Sequence, residues 1–245
     1  MRGLLSLTMM SATLLVFSAI AYPVAVSVAV ASVPSQDPIS RYQQRFDQIQ
    51  SYQVVIRSSS TTEASKIIRY SYKKPGYVRM DFTQPHAGAV LTYNPDSGKV
   101  TLWPFGLGTL PVLTLSPTNS LIQDERGHRV DRSDIGVLLG NIRRLQREGT
   151  TTTLGVENLS GRSVTYVAVV GPKAMVVDGV HRYDLWLDNY YGLPAKVMSY
   201  TLEGKLLETV LMDSLIVNVR FPANFFTPRR SQRNGRISVF YRLAG

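Results

Sequence analysis

The chain of 245 residues contains no cysteine. That absence excludes structural disulfides, thiolate catalysis, cysteine-based metal sites and acylation at a lipobox cysteine. Histidine is scarce as well, with three residues, His86, His128 and His181, far apart in sequence. There is no H-E-x-x-H, no G-x-S-x-G and no glycine-rich phosphate loop, so no catalytic, metal or cofactor residues are assigned. Charge is missing from two regions. Gly3 to Ser35 carries none, and after Asp213 there is no Asp or Glu.

The uncharged beginning follows Arg2, runs through apolar Leu4 to Ala21, and reaches small residues at Ala29-Val30-Ala31. This fits a secretory signal peptide over 1–31, cut before Ser32, with Ala19-Ile20-Ala21 as an earlier option. The competing reading is an uncleaved inner-membrane anchor over 4–33, because the run exceeds the ~20 apolar residues that cross a bilayer. Either way the folded part begins near Pro34 and is exported.

Without disulfides, an exported domain must be held by its core. Some 210 residues with 44% hydrophobic content allow one sizeable core. The net charge of +10 falls only to +9 if Arg2 is removed. The acid-free end, 229–245, is a basic tail in which Arg229, Arg230, Arg233 and Arg236 suit an anionic membrane surface. A solvated tail is the alternative. No recognition-helix or aromatic-platform motif supports a nucleic-acid partner.

Lys66 to Phe105 reads as four short strands joined by turns. Tyr70 and Tyr72 alternate before Lys74-Pro75-Gly76; Val78, Met80 and Phe82 share one face while Arg79 and Asp81 take the other. Pro85 ends that strand, and Asn94-Pro95-Asp96-Ser97-Gly98 is a turn between Val90–Tyr93 and Val100–Trp103. Five further strands are expected at Thr151–Leu159, Val164–Val170, His181–Asp188, Ala195–Thr201 and Leu206–Val219.

Two helices are expected. Ile39, Tyr42, Phe46 and Ile49 share a face behind Asp37-Pro38, which predicts a helix over Pro38 to Ser51. Ile135, Leu138, Leu139, Ile142 and Leu145 share another, capped by Ser133 or Asp131 and stopped by Gly149. Gly106 to Arg132 is a long connection, apolar over Val112 to Leu115. The expected fold is α+β and mainly β: nine to eleven antiparallel strands in one curved sheet, with helices over its concave side.

Two blocks add a family resemblance. Tyr72 to Trp103, YKKPGYVRMDFTQPHAGAVLTYNPDSGKVTLW, resembles the signature of the bacterial outer-membrane lipoprotein carrier superfamily, the LolA/LolB-like fold. Asp184 to Pro228 is similar to that family's closing strands, including the Asp188–Pro194 hairpin and the final Pro222, Phe225 and Pro228. The resemblance covers roughly Pro38 to Pro228 and assigns a lipid-binding domain over 34–228. It implies an incomplete β-barrel with a helical lid that holds the acyl chains of a lipid or acylated protein, without enzymatic activity. In that family an arginine before the first of these prolines helps hold the lid shut. The matching residue is Lys74, which keeps the charge without the planar fork.

By alternation, the residues expected to face an apolar cavity are Val78, Met80, Phe82, Leu91, Tyr93 and Leu102, with Tyr183, Leu185 and Leu187 on the later strands. The plain alternative is that they form the packed core of a filled sheet. Trp103 and Trp186 are out of phase with them. A further reading is an envelope sensor that uses the same fold to engage an envelope protein.

Overall fold

The computed structural model describes residues 37–61, 64–124 and 126–228. The expected signal or anchor segment and the arginines of the basic tail lie outside these residues. Among the described residues, one main hydrophobic core is built from the strands and both helices, with a small second cluster at Val164, Trp186 and Ala195.

The chain opens with α1 (Pro38–Gln48), followed by β1 (Ser51–Ser60), β2 (Lys66–Lys73), β3 (Tyr77–Gln84), β4 (Val90–Asn94), β5 (Lys99–Trp103) and β6 (Leu113–Leu115). Then come α2 (Ile135–Gln146), β7 (Thr150–Leu159), β8 (Arg162–Val170), β9 (Arg182–Asp188), β10 (Pro194–Tyr200) and β11 (Leu206–Val217). All eleven strands form one antiparallel sheet in the order β6-β5-β4-β3-β2-β1-β11-β10-β9-β8-β7. Two meanders are thus joined where β1 pairs β11, and the sheet is not closed, because β6 and β7 remain its edges. Both helices pack on one face, here called inner.

Asp37 caps α1 by accepting from the Ser40 amide at 2.9 Å, and Pro38 occupies the first turn, where its missing N–H costs nothing. The helix ends at Gln48 rather than Ser51, since Ile49 is already extended and Ser51 opens β1. The cap of α2 is Asp134, bonded to the Gly136 and Val137 amides, in place of the expected Ser133 or Asp131. Ser133 instead donates to Val130 O and contacts the Tyr70 hydroxyl, while Asp131 pairs with Arg129. The helices run antiparallel: Gln146 at the end of α2 bonds Asp37, and Gly136 at its start lies against Phe46 of α1. A Cβ on Gly136 would come 2.4 Å from the Phe46 ring.

Strand registers stack the inner face into rows. One is Tyr52, Tyr72, Val78, Tyr93, Val100, Leu115; the next is Val54, Tyr70, Met80, Leu91, Leu102, Leu113; a third is Ile56, Ile68, Phe82. The outer face is different in kind. Trp186 stacks on Tyr166 with ring centroids 4.5 Å apart, Lys196 lies 4.0 Å over its ring, and its Nε1 donates to Glu157, which satisfies the indole that alternation placed out of phase. Arg79 forks onto Asp81, donates to Phe225 O at 3.1 Å and stacks on the Phe225 ring. Phe226 packs on Tyr77. The Pro222–Pro228 motif is therefore a closing segment held against the outer side of β3.

Candidate functional site

The inner-face rows differ in how far they are covered. The Tyr52 row lies under α1, where Phe46 packs against Tyr52 and Tyr72 and the Tyr52–Tyr70–Tyr72 rings stack. Burial drives the Tyr52 and Tyr70 phenols far above their ordinary range and pushes Tyr72 up to about 12, so all three are neutral hydrogen-bonding groups. Tyr52 Oη accepts from the first amide of α2, at Ile135, and Tyr70 meets Ser133. The aromatic floor thereby fixes where α2 begins.

At the opposite end the cover thins. Ile56, Met80, Phe82, Tyr93 and Leu102 are only partly buried and, like Leu138 of α2 and Ile122 of the connection that precedes α2, pack against the edge of the main core. These residues are the less covered part of the inner apolar face, here called the trough, which reaches the Ile56–Ile68–Phe82 row. Where α2 starts, a cavity of about 40 Å³ lies between Tyr52, Ile56, Tyr70, Ser133, Leu138 and Met212. That volume holds a water and falls far below the ~300–1,000 Å³ of a small-molecule pocket. A ligand of acyl size therefore enters only if the cover moves.

The cover has two parts. The first is α1, whose last carbonyls, at Phe46 and Asp47, accept from Lys74 Nζ at 3.2 and 2.6 Å, with the ammonium 5.3 Å from the Phe46 ring. A cation at a helix C-terminus satisfies carbonyls that have no intrahelical partner and opposes the helix dipole. The second is the connection that follows β6, a strap with two 3-10 turns at Ser120–Ile122 and Val130–Arg132. It is pinned to β2 by Lys66–Asp124 at 3.6 Å and to β11 by Arg126–Glu208, with Val130 buried as its apolar anchor. Burial opposes the charge of Asp124, but hydrogen bonds from the His128 side chain and amide, and the charges of His128 and Lys66, outweigh it and hold the carboxyl well below its usual range.

Of the cavity candidates, Val78, Leu91, Tyr183, Leu185 and Leu187 are buried in the main core, whereas Met80, Phe82, Tyr93 and Leu102 border the trough. The β9 residues lie beneath the helices; Tyr42 of α1, for instance, donates to Leu187 O. Ile56, Ile122 and Leu138 complete the trough; Leu138 was read from the sequence only as part of the apolar face of α2, and Ile56 and Ile122 were not singled out, since β1 was not read as a strand and the strap was read only as a long connection. The alternating Val54 and Ile56 after Tyr52 were the available signal for β1. A separate cleft of about 440 Å³ lies at the β8–β9 end, lined by Arg162, Asp188, Tyr190 and Tyr191. It is open, and its exposed lining is mainly apolar, with the Tyr190 and Tyr191 rings beside Arg162 and Asp188. Among the described residues no group of three or more His, Asp or Glu side chains is arranged to hold a metal, and no helix is long and apolar enough to cross a membrane.

No protein-family model matches the chain, and no curated protein matches it in sequence. Solved structures do resemble it. The lipoprotein LppX of Mycobacterium tuberculosis is 10% identical, with a TM-score of 0.46, over 76% of this chain and 95% of that one. A LolA superfamily protein from Nitrosomonas europaea is 14% identical, with a TM-score of 0.32, over 77% and 97%. MucB, from its Pseudomonas aeruginosa complex with MucA, is 17% identical, with a TM-score of 0.44, over 77% of this chain and 58% of that one.

Proposed function

We propose that the protein binds the acyl chains of a lipid or lipoprotein in the trough on the inner face, in the bacterial envelope and without catalysis. The observation that carries this is the gradient of cover: the inner sheet face carries three rows of mainly apolar side chains, yet its Phe82 end is left half-buried under parts held mainly by polar and ionic contacts. A face meant only as core would be sealed by apolar packing, as the β9 end is. Each methylene withdrawn from water contributes ~0.8 kcal/mol, so one or two chains offset the cost of displacing the cover. Met80 and Phe82 suit a ligand of variable shape.

The first test is native mass spectrometry of residues 32–245 purified from a bacterial envelope, with extraction of whatever accompanies it. A stoichiometric lipid or acylated peptide is expected. Met80→Asp and Phe82→Asp should each abolish uptake while the protein remains folded by circular dichroism. Unchanged uptake in folded variants, or no uptake from added lipid by the wild type, would sink the proposal and leave a scaffold that engages an envelope protein.

A further inference from the structure

From Val100 to Gln123 the chain carries no Asp, Glu, Lys, Arg or His. Residues 104–112 of this run join β5 to β6, and there Phe105 is 70%, Leu107 43% and Leu110 65% exposed. The loop is built rather than slack. The Gly106 amide donates to Trp103 O at 3.3 Å, while the amide and hydroxyl of Thr109 both donate to Gly106 O. Gly106 and Gly108 adopt φ of +100° and +83°, which glycine alone accepts readily. Two successive turns therefore hold three large apolar side chains out into water.

We propose that loop 104–112 is a tip that inserts into the interfacial region of an anionic lipid bilayer. The tip has no charge to dehydrate, and a bilayer accepts apolar side chains to a depth of ~5–10 Å. A protein partner would instead require a broad face of ~800 Å². The chain's net charge of +10 supplies the complementary attraction to anionic head groups. Behind the loop, Leu102 of β5 and Leu113 of β6 are paired in the row that also holds Met80, so an inserted tip sets the open end of the trough toward the membrane. The inference does not require the trough to take a ligand.

The test uses residues 32–245 with vesicles of phosphatidylethanolamine and phosphatidylglycerol. Phe105→Trp adds a reporter to a protein whose own Trp103 and Trp186 are buried. On vesicles its emission should shift to the blue and be quenched by lipids brominated along the acyl chain. The triple variant Phe105→Ser, Leu107→Ser, Leu110→Ser should keep the wild-type melting curve and lose at least about tenfold in partitioning at 0.5 M salt, where the basic tail is screened. Unshifted emission from the Phe105→Trp variant, in protein that still sediments with vesicles, overturns the inference. So does wild-type partitioning of the triple variant, or a loop that joins copies of the protein in solution and leaves vesicles unbound.

Discussion

Replacing Lys74 by methionine keeps the aliphatic stem and removes only the charge, which isolates the contact between β2's end and α1. The ammonium donates to two carbonyls at the helix terminus, at 2.6 and 3.2 Å. Hydrogen bonds to a charged group contribute ~1.5–3 kcal/mol when shielded and a dipole contact ~0.3–1, but this site is partly open to solvent. A net loss of about 1–2 kcal/mol follows, equivalent to an about 5–30-fold rise in the population with α1 detached. Hydrogen exchange at the α1 amides, 39–48, should accelerate by that factor. Lipid uptake should quicken in step. Lys74→Arg, with its planar fork, should slow both. If α1 exchanges at the wild-type rate in Lys74→Met, the contact does not hold the helix and the lid assignment is wrong.

Asp134 caps α2 from a buried position, and burial, outweighing its bonds to the Gly136 and Val137 amides, raises its pKa. A carboxyl raised on folding contributes stability that is present at low pH and lost as pH rises through the folded value. Asp134→Asn, an equally good cap, should therefore melt at or above the wild type at pH 7, whereas Asp134→Ala should lose ~1 kcal/mol. Asp124 has the opposite sign. Its lowered pKa means that its contribution is present at neutral pH and fades as pH falls below ~4, so the melting difference between wild type and Asp124→Asn should shrink there. Arg79→Lys cannot reproduce the fork that binds Asp81 and Phe225 O together. A loss of ~1–2 kcal/mol, read as a melting point lower by ~3–6 °C, should come with faster proteolysis near Phe225.

The two meanders and two helices were legible because alternation and a 3.6-residue period leave their mark residue by residue. Val78, Met80 and Phe82 face inward, as the strand period requires, and Ile135 to Leu145 bury one stripe. Strands β1 and β6 were not legible as such. Polar Ser58, Ser59 and Ser60 dilute the pattern of β1, and β6 has only three residues, so each is a strand because a neighbour supplies its hydrogen bonds. Sequence pointed to Ser133 or Asp131 as the cap of α2 and missed Asp134, because the choice among neighbouring acceptors depends on where α2 starts, and there the Tyr52 hydroxyl meets the Ile135 amide and the Tyr70 hydroxyl meets Ser133.

What the sequence determined by itself is the inward set of apolar residues, because a side chain's face follows from its own strand's period. Whether a member of that set is sealed core or half-covered trough depends on what lies above it. Leu185 and Met80 alternate alike, yet Leu185 is fully buried while Met80 borders an opening under a strap pinned by Asp124 and Arg126. Those ion pairs join residues 58 and 82 positions apart. Only the folded chain brings them together, since no local period encodes a contact between distant segments.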